Sequence, residues 1–527
     1  MSGNVPTVGD LVRLGASRSP ERVAVKMRDG GRSVTYAELD RRTDRLANAL
    51  LGLGLERGDR VGAWLGDRVE YVELYLALAK AGLIMVPVNA RVRAAEASHP
   101  LTDAAVRALF FDDSIAGDVG ELDCLDGVEV VAVGGAAAEV EARDFEALLG
   151  AGAATPPPGP TPDDVYIIGY TSGTTGKPKG AMLTHRSVMA LARLNSLSYH
   201  LPLFGTAALT GSMSFVATVP AHFITHLLTG GTLVIMGRWD VESLVETIER
   251  ERATFTYVPS PLIVDFCEVA RRDPRRWQSL ASVLHSASRA APEKLRLLAE
   301  TVGGRFVEGL GMTENSGGLI TATTPDDVEG ESAAKDLYAS AGRAVAESAV
   351  RLIDPDSGEP VPHDGEAIGE LAMRSPALMD GYWNLPEATA EALVDGWYRS
   401  GDLASIDPAG YVYIAERRTD LIVSGGMNVY PTEVEEFIKT MPGVADVAVV
   451  GLPHERWGQS VVAAVIPAPG AEVEAEAVIE YCRTGLATYK KPTAVRFIDD
   501  LPRTVSLKVR RSEVRKMLEA EAAGSRR

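Results

Sequence analysis

Hydrophobic positions between Val34 and about Asp113 switch repeatedly between two periods. Segments such as "TYAELDRRTDRLANALLGLG" space their apolar residues three and four apart, as a helix with one buried face requires. Between them lie short runs rich in branched and aromatic residues, "DRVGAWLG", "GLIMVPV" and "VRALFFD", which read as buried strands. This alternation predicts an α/β layer architecture with a largely parallel sheet. A second run of the same alternation continues to about Gly318. From Ala339 to Ile414 the strands shorten and are punctuated by turn sequences, "DPDSGEP" and "DPAG", which predicts a β-rich subdomain. After Arg417 the pattern changes to a compact mixed module of about a hundred residues, the size of a small domain. The piece "AGAATPPPGPTPDD" (Ala151 to Asp164) is too rich in proline and glycine for regular structure and reads as a connector between subdomains.

One junction in this pattern concentrates chemistry. The run "DVYIIGY" (Asp164 to Tyr170) reads as a buried strand, and "THRSVMALARL" from Thr184 opens like a helix. Between them "YTSGTTGKPKG" (Tyr170 to Gly180) packs three glycines, four serine or threonine hydroxyls and two lysines into eleven residues. Glycine lets backbone N–H groups approach a ligand, hydroxyls donate hydrogen bonds and lysine supplies charge, so the composition suits a polyphosphate. It is not a Walker loop, which needs G-x-x-x-x-G-K followed by a hydroxyl. Here Gly173 and Gly176 are three apart and Lys177 precedes Pro178. A flexible surface linker is the competing reading, and two spaced lysines behind a buried strand speak against it.

Composition narrows the setting. The longest apolar region, "YVELYLALAKAGLIMVPV", contains Glu73 and Lys80, and the first residues lack a basic-then-apolar signal. Neither a membrane span nor export is expected, which makes the cytoplasm the expected location. Cys124, Cys267 and Cys482 lie far apart without metal-type or redox-type spacing and are expected to be buried thiols. A formal charge of −19 argues against a nucleic-acid partner. The lysines of the loop must therefore act locally.

Further segments suit the same ligand. "GLGMTE" (Gly309 to Glu314) follows an apolar strand and offers Thr313 to a phosphate and Glu314 to Mg²⁺. An ordinary strand-end loop is the alternative. "YRSGDLA" offers Asp402, whose two oxygens suit both ribose hydroxyls; alone, it would read as a turn aspartate. Beyond Gly410 a strand turns through a charged cluster and restarts at a helix expected to be capped by Thr432 with Glu435. Near the end, "LPRTVSLKVRR" places Lys508 on a loop among basic residues, where a solvated basic face is the alternative.

In this order the segments resemble the adenylate-forming superfamily of acyl-CoA synthetases, luciferases and peptide-synthetase adenylation domains. The resemblance runs from about Val34 to Lys516 and rests on "YTSGTTGKPKG", "GMTE", "GELAMRSPALMDGYWN", "WYRSGDLA", "ERRTDLIVSGGMNVYPTEVEE", "YKKP" and "LPRT" before Lys508. It implies a large N-terminal domain of layered α/β subdomains plus a β-rich subdomain over residues 1–418, and a small mobile α+β C-terminal domain over 419–527. It further implies that Thr171, Ser172, Gly173, Thr174, Thr175 and Lys177 hold the ATP phosphates, with Lys179 a weaker contact. Thr313 would meet the α-phosphate, Glu314 the Mg²⁺, and Asp402 and Arg417 the ribose. Leu310 and Gly311 would lie at the base, and Lys508 would bridge carboxylate and α-phosphate. After pyrophosphate leaves, the small domain would turn about Thr419. The "SGGMN" turn with Gly425 and Gly426 would then line the path of the CoA thiol.

The chain departs from the family pattern at four positions. Leu310 replaces an aromatic residue, so apolar contact rather than stacking is expected at the adenine. Arg289 stands in "SASRA" where proline is usual, Thr419 replaces the usual Asp or Lys, and Leu507 replaces a glycine. The acyl pocket is expected to draw on Phe215, His222, Ser286 and Gly309. Its main segment, "GTAALTGSMSFVATVPAHFITHLL", contains no Lys, Arg, Asp or Glu, which favours an apolar carboxylic acid, aromatic, fatty or polycyclic, over an amino acid. A dicarboxylate read by Arg289 is the alternative substrate. His222 and His226, four apart, are expected to be one packed and one solvated histidine rather than metal ligands. CoA is the expected acceptor: "RRTDLIVSGGMNVYP" leaves no room for the insertion of carrier-loading ligases, and the chain stops at Arg527 soon after Lys508. The alternatives are an enzyme loading a carrier-protein thiol and a nucleotide-binding, non-catalytic relative.

Overall fold

The computed structural model describes residues 6–135, 140–172, 178–286, 290–329, 334, 336–355, 357–417, 422–429, 431–502, 509 and 511–524. In the first sheet the strand Arg60–Trp64 lies between Ile84–Pro87 and Ala108–Asp112, all parallel. Glu129–Val133 and Arg143–Asp144 extend one side; Val165–Ser172 and then the antiparallel Pro178–Thr184 and Gly381–Tyr382 extend the other. Helix Val69–Ala81 is buried at every position but Glu70. Its two interior charges are paired, as buried charges must be. Glu73 accepts from Arg32 and Arg42, and the Lys80 ammonium donates to Asp40 and Asp44 at 2.6 Å each. The apolar stretch from Tyr71 to Val88 is this core helix followed by the strand Ile84–Pro87, and no described helix is long and apolar enough to cross a membrane.

The second sheet continues the α/β alternation, with parallel strands from Thr206–Leu209 to Phe306–Gly311. Its antiparallel edges are Ser33–Thr35 and, at the far side, Leu319–Thr323 with Arg343–Ala344. One parallel strand, Val23–Met27, comes from the N-terminus and pairs with Thr232–Ile235 across more than two hundred residues. Local pattern carries no signal for that partnership. The third sheet, which is antiparallel, forms the predicted β-rich subdomain, with "DPDSGEP" between Ala349–Ile353 and Pro360–Val361 and "DPAG" between Trp397–Ile406 and Val412–Arg417. The connector from 152 to 164 holds neither helix nor strand and is tied down by Asn48, whose amide donates to the carbonyls of Ala153 and Thr155.

The small C-terminal domain is built on the long hairpin of Val444–His454 and Gly458–Pro467. Its strands are buried on both faces and alternate between two cores. Val447, Val449, Val461 and Ala463 face helices Pro431–Lys439 and Ala475–Gly485; Ala448, Val450, Val462 and Ala464 face Leu501, Val514 and Leu518. The first of these helices departs from expectation. It begins at Pro431, a favoured residue for the first helical position, so Thr432 lies inside the first turn rather than at the cap. Glu435 instead accepts the Val449 N–H at 2.7 Å and pairs with Arg511. Cys267 and Cys482 are buried as expected, whereas Cys124 is only half-buried.

Candidate functional site

Strands Val165–Ser172 and Pro178–Thr184 pair antiparallel down to Ser172 opposite Pro178, a hairpin whose two strands bracket the predicted phosphate loop. Gly173, Thr174, Thr175, Lys177 and the side chain of Ser172 lie outside the described residues. The Thr171 hydroxyl donates to the Lys179 carbonyl at 3.4 Å, and the Lys179 ammonium stands 5.1 Å from the centre of the Tyr382 ring. Beyond the hairpin Thr184 caps helix His185–Ser198, accepting the Ser187 N–H at 3.1 Å.

The turn Thr313–Asn315 follows strand Phe306–Gly311 and packs against this hairpin at Gly169. A Cβ on Gly169 would stand 3.0 Å from the Thr313 methyl and 2.6 Å from a Val216 methyl. Gly317, at φ +80°, backs onto the Ala217 nitrogen. Two glycines thus let three segments distant in sequence meet: the hairpin, the "GMTE" turn and the apolar segment around Val216. The Glu314 carboxylate accepts the Tyr382 hydroxyl at 2.9 Å, and the Tyr398 hydroxyl lies 3.3 Å from that of Tyr382. Burial raises the pKa of both phenols, and the Glu314 charge adds to it, so both stay protonated donors. Neither tyrosine was expected at the site. Both lie in quoted segments, but no periodicity announces that two strands will aim them at one carboxylate.

Among the described residues no group of three or more His, Cys, Asp or Glu converges on a common point. Glu314 therefore stands as a single oriented carboxylate. That donor set fits Mg²⁺, which is commonly held by one or two carboxylates together with substrate phosphates.

Asp402 is buried and sits directly opposite Arg417 on the neighbouring antiparallel strand, so the two expected ribose partners are brought together. The Arg417 side chain itself lies outside the described residues. Leu310 is half-buried against the core of the third sheet, beside Ile320, Leu371 and Met373. Gly309 and Gly311 have a simpler reason to lack side chains than ligand contact. A Cβ on Gly309 would stand 2.2 Å from the Thr321 carbonyl oxygen, and one on Gly311 2.8 Å from that of Gly318.

Ser286 is opposite Gly309 and accepts the Tyr257 hydroxyl at its carbonyl, 3.3 Å away. One position earlier, register places His285 against Glu308, and the imidazole Nδ1 meets the Glu308 carboxylate. The Nε2 lies 2.7 Å from the Ser260 hydroxyl. This Ser260–His285–Glu308 chain was not foreseen, because two members meet through parallel register and the third comes from the turn Ser260–Leu262.

Phe215 is half-buried, and beyond it Val219–Ile224 form a π-helix running into Thr225–Leu228. The expectation of one packed and one solvated histidine fails, since both His222 and His226 are buried. The His222 ring lies among Tyr199, Phe255 and Tyr257, with centroids 5.2 to 6.4 Å away. Nδ1 of His226 is 2.7 Å from the His222 carbonyl. Burial lowers their pKa values to about 3 and about 4, so both are neutral at pH 7. Arg289, the alternative substrate contact, lies outside the described residues.

The turn between Ile422–Ser424 and Met427–Val429 has φ +59° at Gly425 and +80° at Gly426, the backbone of a two-residue hairpin turn of the primed kind. Gly425 donates to the Trp457 carbonyl at 2.8 Å. A Cβ on it would stand 2.6 Å from the Trp457 ring and 3.7 Å from Pro261, in the N-terminal domain. Thr419, Leu507 and Lys508 lie outside the described residues.

Comparison with known proteins places these segments in context. Residues 12–383 match the family model "AMP-binding enzyme" and residues 433–508 its C-terminal domain. The match begins well before Val34, and includes the unforeseen strand Val23–Met27. Among curated relatives, a feruloyl-CoA synthase of Amycolatopsis sp is 37% identical, covering 95% of this chain and 97% of its own. The long-chain-fatty-acid–CoA ligase FadD13 of Mycobacterium tuberculosis is 33% identical, over 97% and 99%. The fatty acid–acyl-carrier-protein ligase ScoC of Streptomyces coeruleorubidus is 34% identical, over 92% of each. Among solved structures, amide bond synthetase McbA from Marinactinospora thermotolerans has a TM-score of 0.85 at 29% identity, covering 97% and 99%. The o-succinylbenzoate CoA synthetase MenE from Bacillus subtilis, bound with the product analogue OSB-NCoA, scores 0.84 at 26%, over 95% and 97%. ATP-bound MatB from Rhodopseudomonas palustris scores 0.70 at 27%, over 97% and 99%.

Proposed function

This chain belongs to the AMP-binding enzyme family and is an ATP-dependent acyl-CoA synthetase working through an acyl-adenylate, and we propose that its acid is mainly apolar, aromatic or long-chain. The observation that carries the choice of acid is the meeting at Gly169. There the segment around Val216, in a stretch without a single charged side chain, stands against Thr313 and the hairpin. An ammonium or a second carboxylate would find no counter-charge on that segment. His222 is neutral and ringed by aromatics, which suits an apolar body.

In this reading Thr171, Ser172, Gly173, Thr174, Thr175 and Lys177 hold the β- and γ-phosphates. Thr313 meets the α-phosphate, Asp402 and Arg417 take the ribose, and Leu310 packs on the base. Glu314, held by the Tyr382 phenol, would hold Mg²⁺, which when bound neutralises phosphate charge. The substrate carboxylate attacks the α-phosphorus and pyrophosphate leaves. Lys508 offsets the repulsion between the two anions as they approach. The CoA thiolate then attacks the acyl carbonyl and AMP departs. We place the border between the two domains at 418/419, with Thr419 as hinge, and assign the Gly425–Gly426 turn to the thiol path.

The arrangement of the two domains supports the transfer half of this scheme. The TM-score is 0.84 against the synthetase carrying the CoA-type product analogue and 0.70 against MatB, the same for its ATP-bound and its apo form, at nearly equal coverage and identity. A difference of that kind between members of one fold is what a changed placement of the small domain produces. The Gly425 turn accordingly faces Pro261.

The test is carboxylate-dependent pyrophosphate exchange over ferulate, palmitate, an aromatic amino acid and a dicarboxylate, followed by product mass with CoA or a carrier protein. Exchange with ferulate or palmitate and an acyl-CoA product are expected. Strong preference for the amino acid or the dicarboxylate would overturn the assignment of the acid, and a product seen only on the carrier would overturn that of the acceptor.

A further inference from the structure

Helix Ala94–Asp103 lies in the N-terminal domain, and its third residue, Glu96, accepts the Arg93 N–H at 3.4 Å to close the helix start. The same carboxylate reaches into the C-terminal domain. One oxygen accepts the Ala487 N–H at 2.8 Å, and the other is 2.5 Å from the Lys490 ammonium. Lys490 in turn lies 2.6 Å from Glu433, at the start of helix Pro431–Lys439. The Lys490 and Glu96 side chains retain only 10% and 9% of their exposure, and Glu433 20%.

This cluster is asymmetric in a useful way. The Lys490–Glu433 pair is internal to the small domain and persists wherever that domain goes. The Glu96 contacts, to an ammonium and to a backbone N–H at once, exist in one placement only. Burying a carboxylate costs free energy that only good partners offset, so Glu96 favours the docked placement sharply over near misses. In that placement the Gly425 turn faces Pro261.

We propose that Glu96 and Lys490 are positioning residues for the second half-reaction, an ionic latch that holds the small domain where the acyl group passes to the thiol. The latch rests on the two-step reading above. It explains why a lysine in "YKKP" is buried at a domain boundary while its neighbour Lys491 is not drawn into the cluster. Because the contact must break for the next adenylation, it holds the domain without fixing it.

The test is Glu96→Lys, which opposes like charges at the latch while leaving Lys490 its partner Glu433. With ferulate as probe acid, ATP–pyrophosphate exchange should stay within about twofold of wild type. Single-turnover thioester formation from synthetic feruloyl-AMP and CoA should fall about tenfold or more, on the scale of a lost buried charge pair. Glu433→Gln, which leaves the contact between domains intact, should change transfer by less than about twofold. Amide hydrogen exchange over residues 484–490 gives a readout independent of any substrate, and it should quicken in Glu96→Lys, since the Ala487 N–H loses its acceptor. Unchanged transfer, or equal loss of both half-reactions, would overturn the latch. Should wild type exchange pyrophosphate with no acid, the functional reading fails instead. Hydrogen exchange then decides the latch by itself: faster exchange upholds the docking contact and unchanged exchange removes it.

Discussion

At pH 7 the imidazole of His222 is uncharged, because burial among Tyr199, Phe255 and Tyr257 lowers its pKa to about 3. In the unfolded chain it titrates near 6.5, so the unfolded state binds the extra proton as pH falls below that value. Stability from this group is present above pH 6.5 and is lost as pH falls towards 3. Between pH 7 and pH 5 the loss is about 2 kcal/mol for one such histidine, from 1.36 kcal/mol per unit. His222→Phe removes the site and its unpartnered nitrogen. Its stability relative to wild type in urea should improve by about that amount on going from pH 7 to pH 5, and an equal difference at both values would show that His222 is not a buried neutral base. Single residues were legible where a motif fixed them: Thr313 meets the hairpin at Gly169, and Asp402 stands opposite Arg417. Tyr382, Tyr398 and the Ser260–His285–Glu308 chain were not legible, since their meeting is made by packing between segments distant in sequence.

Elements were read best where a pattern is local. The helix Tyr36–Gly52 and the strands at Arg60, Ile84 and Ala108 fall where the two periods place them. The pairing of Val23–Met27 with Thr232–Ile235 was not legible because the two lie more than two hundred residues apart, and the cap at Thr432 failed because Pro431 already suits the first helical position. The turn at Gly425 and Gly426 was legible in part. Two adjacent glycines announce a tight turn, whereas its approach to Trp457 and Pro261 is a product of packing. A side chain at Gly425 would be strained twice, by φ +59° and by the Trp457 ring. Gly425→Ala should cost about 1 kcal/mol in the left-handed region alone and displace the tryptophan. Thioester formation from supplied acyl-adenylate should drop several-fold while pyrophosphate exchange stays near wild type. Loss of exchange with retained transfer would remove this turn from the thiol path.

At the scale of the whole molecule, one site has to serve two reactions whose demands conflict. Adenylation needs a positive charge between carboxylate and α-phosphate; transfer needs room for a thiol along the same approach. A chain with one small domain can meet both by presenting different faces of that domain in turn. The face now docked carries the Gly425 turn and Lys490. Lys508, outside the described residues, is assigned to the other face. Its loss should therefore divide the half-reactions. Lys508→Ala should lower adenylate formation by about 10²-fold or more, the scale of removing one preorganised charge, and leave transfer from synthetic acyl-adenylate near the wild-type rate. The opposite asymmetry is expected of Glu96→Lys, and the pair of variants makes a stronger test than either. If the small domain alternates, each variant damages one step and spares the other, and equal mixtures of the two proteins recover overall turnover when acyl-adenylate passes between them in solution. If Lys508→Ala lowers both steps alike in a folded protein, the domain does not alternate. A single placement would then have to accommodate both chemistries.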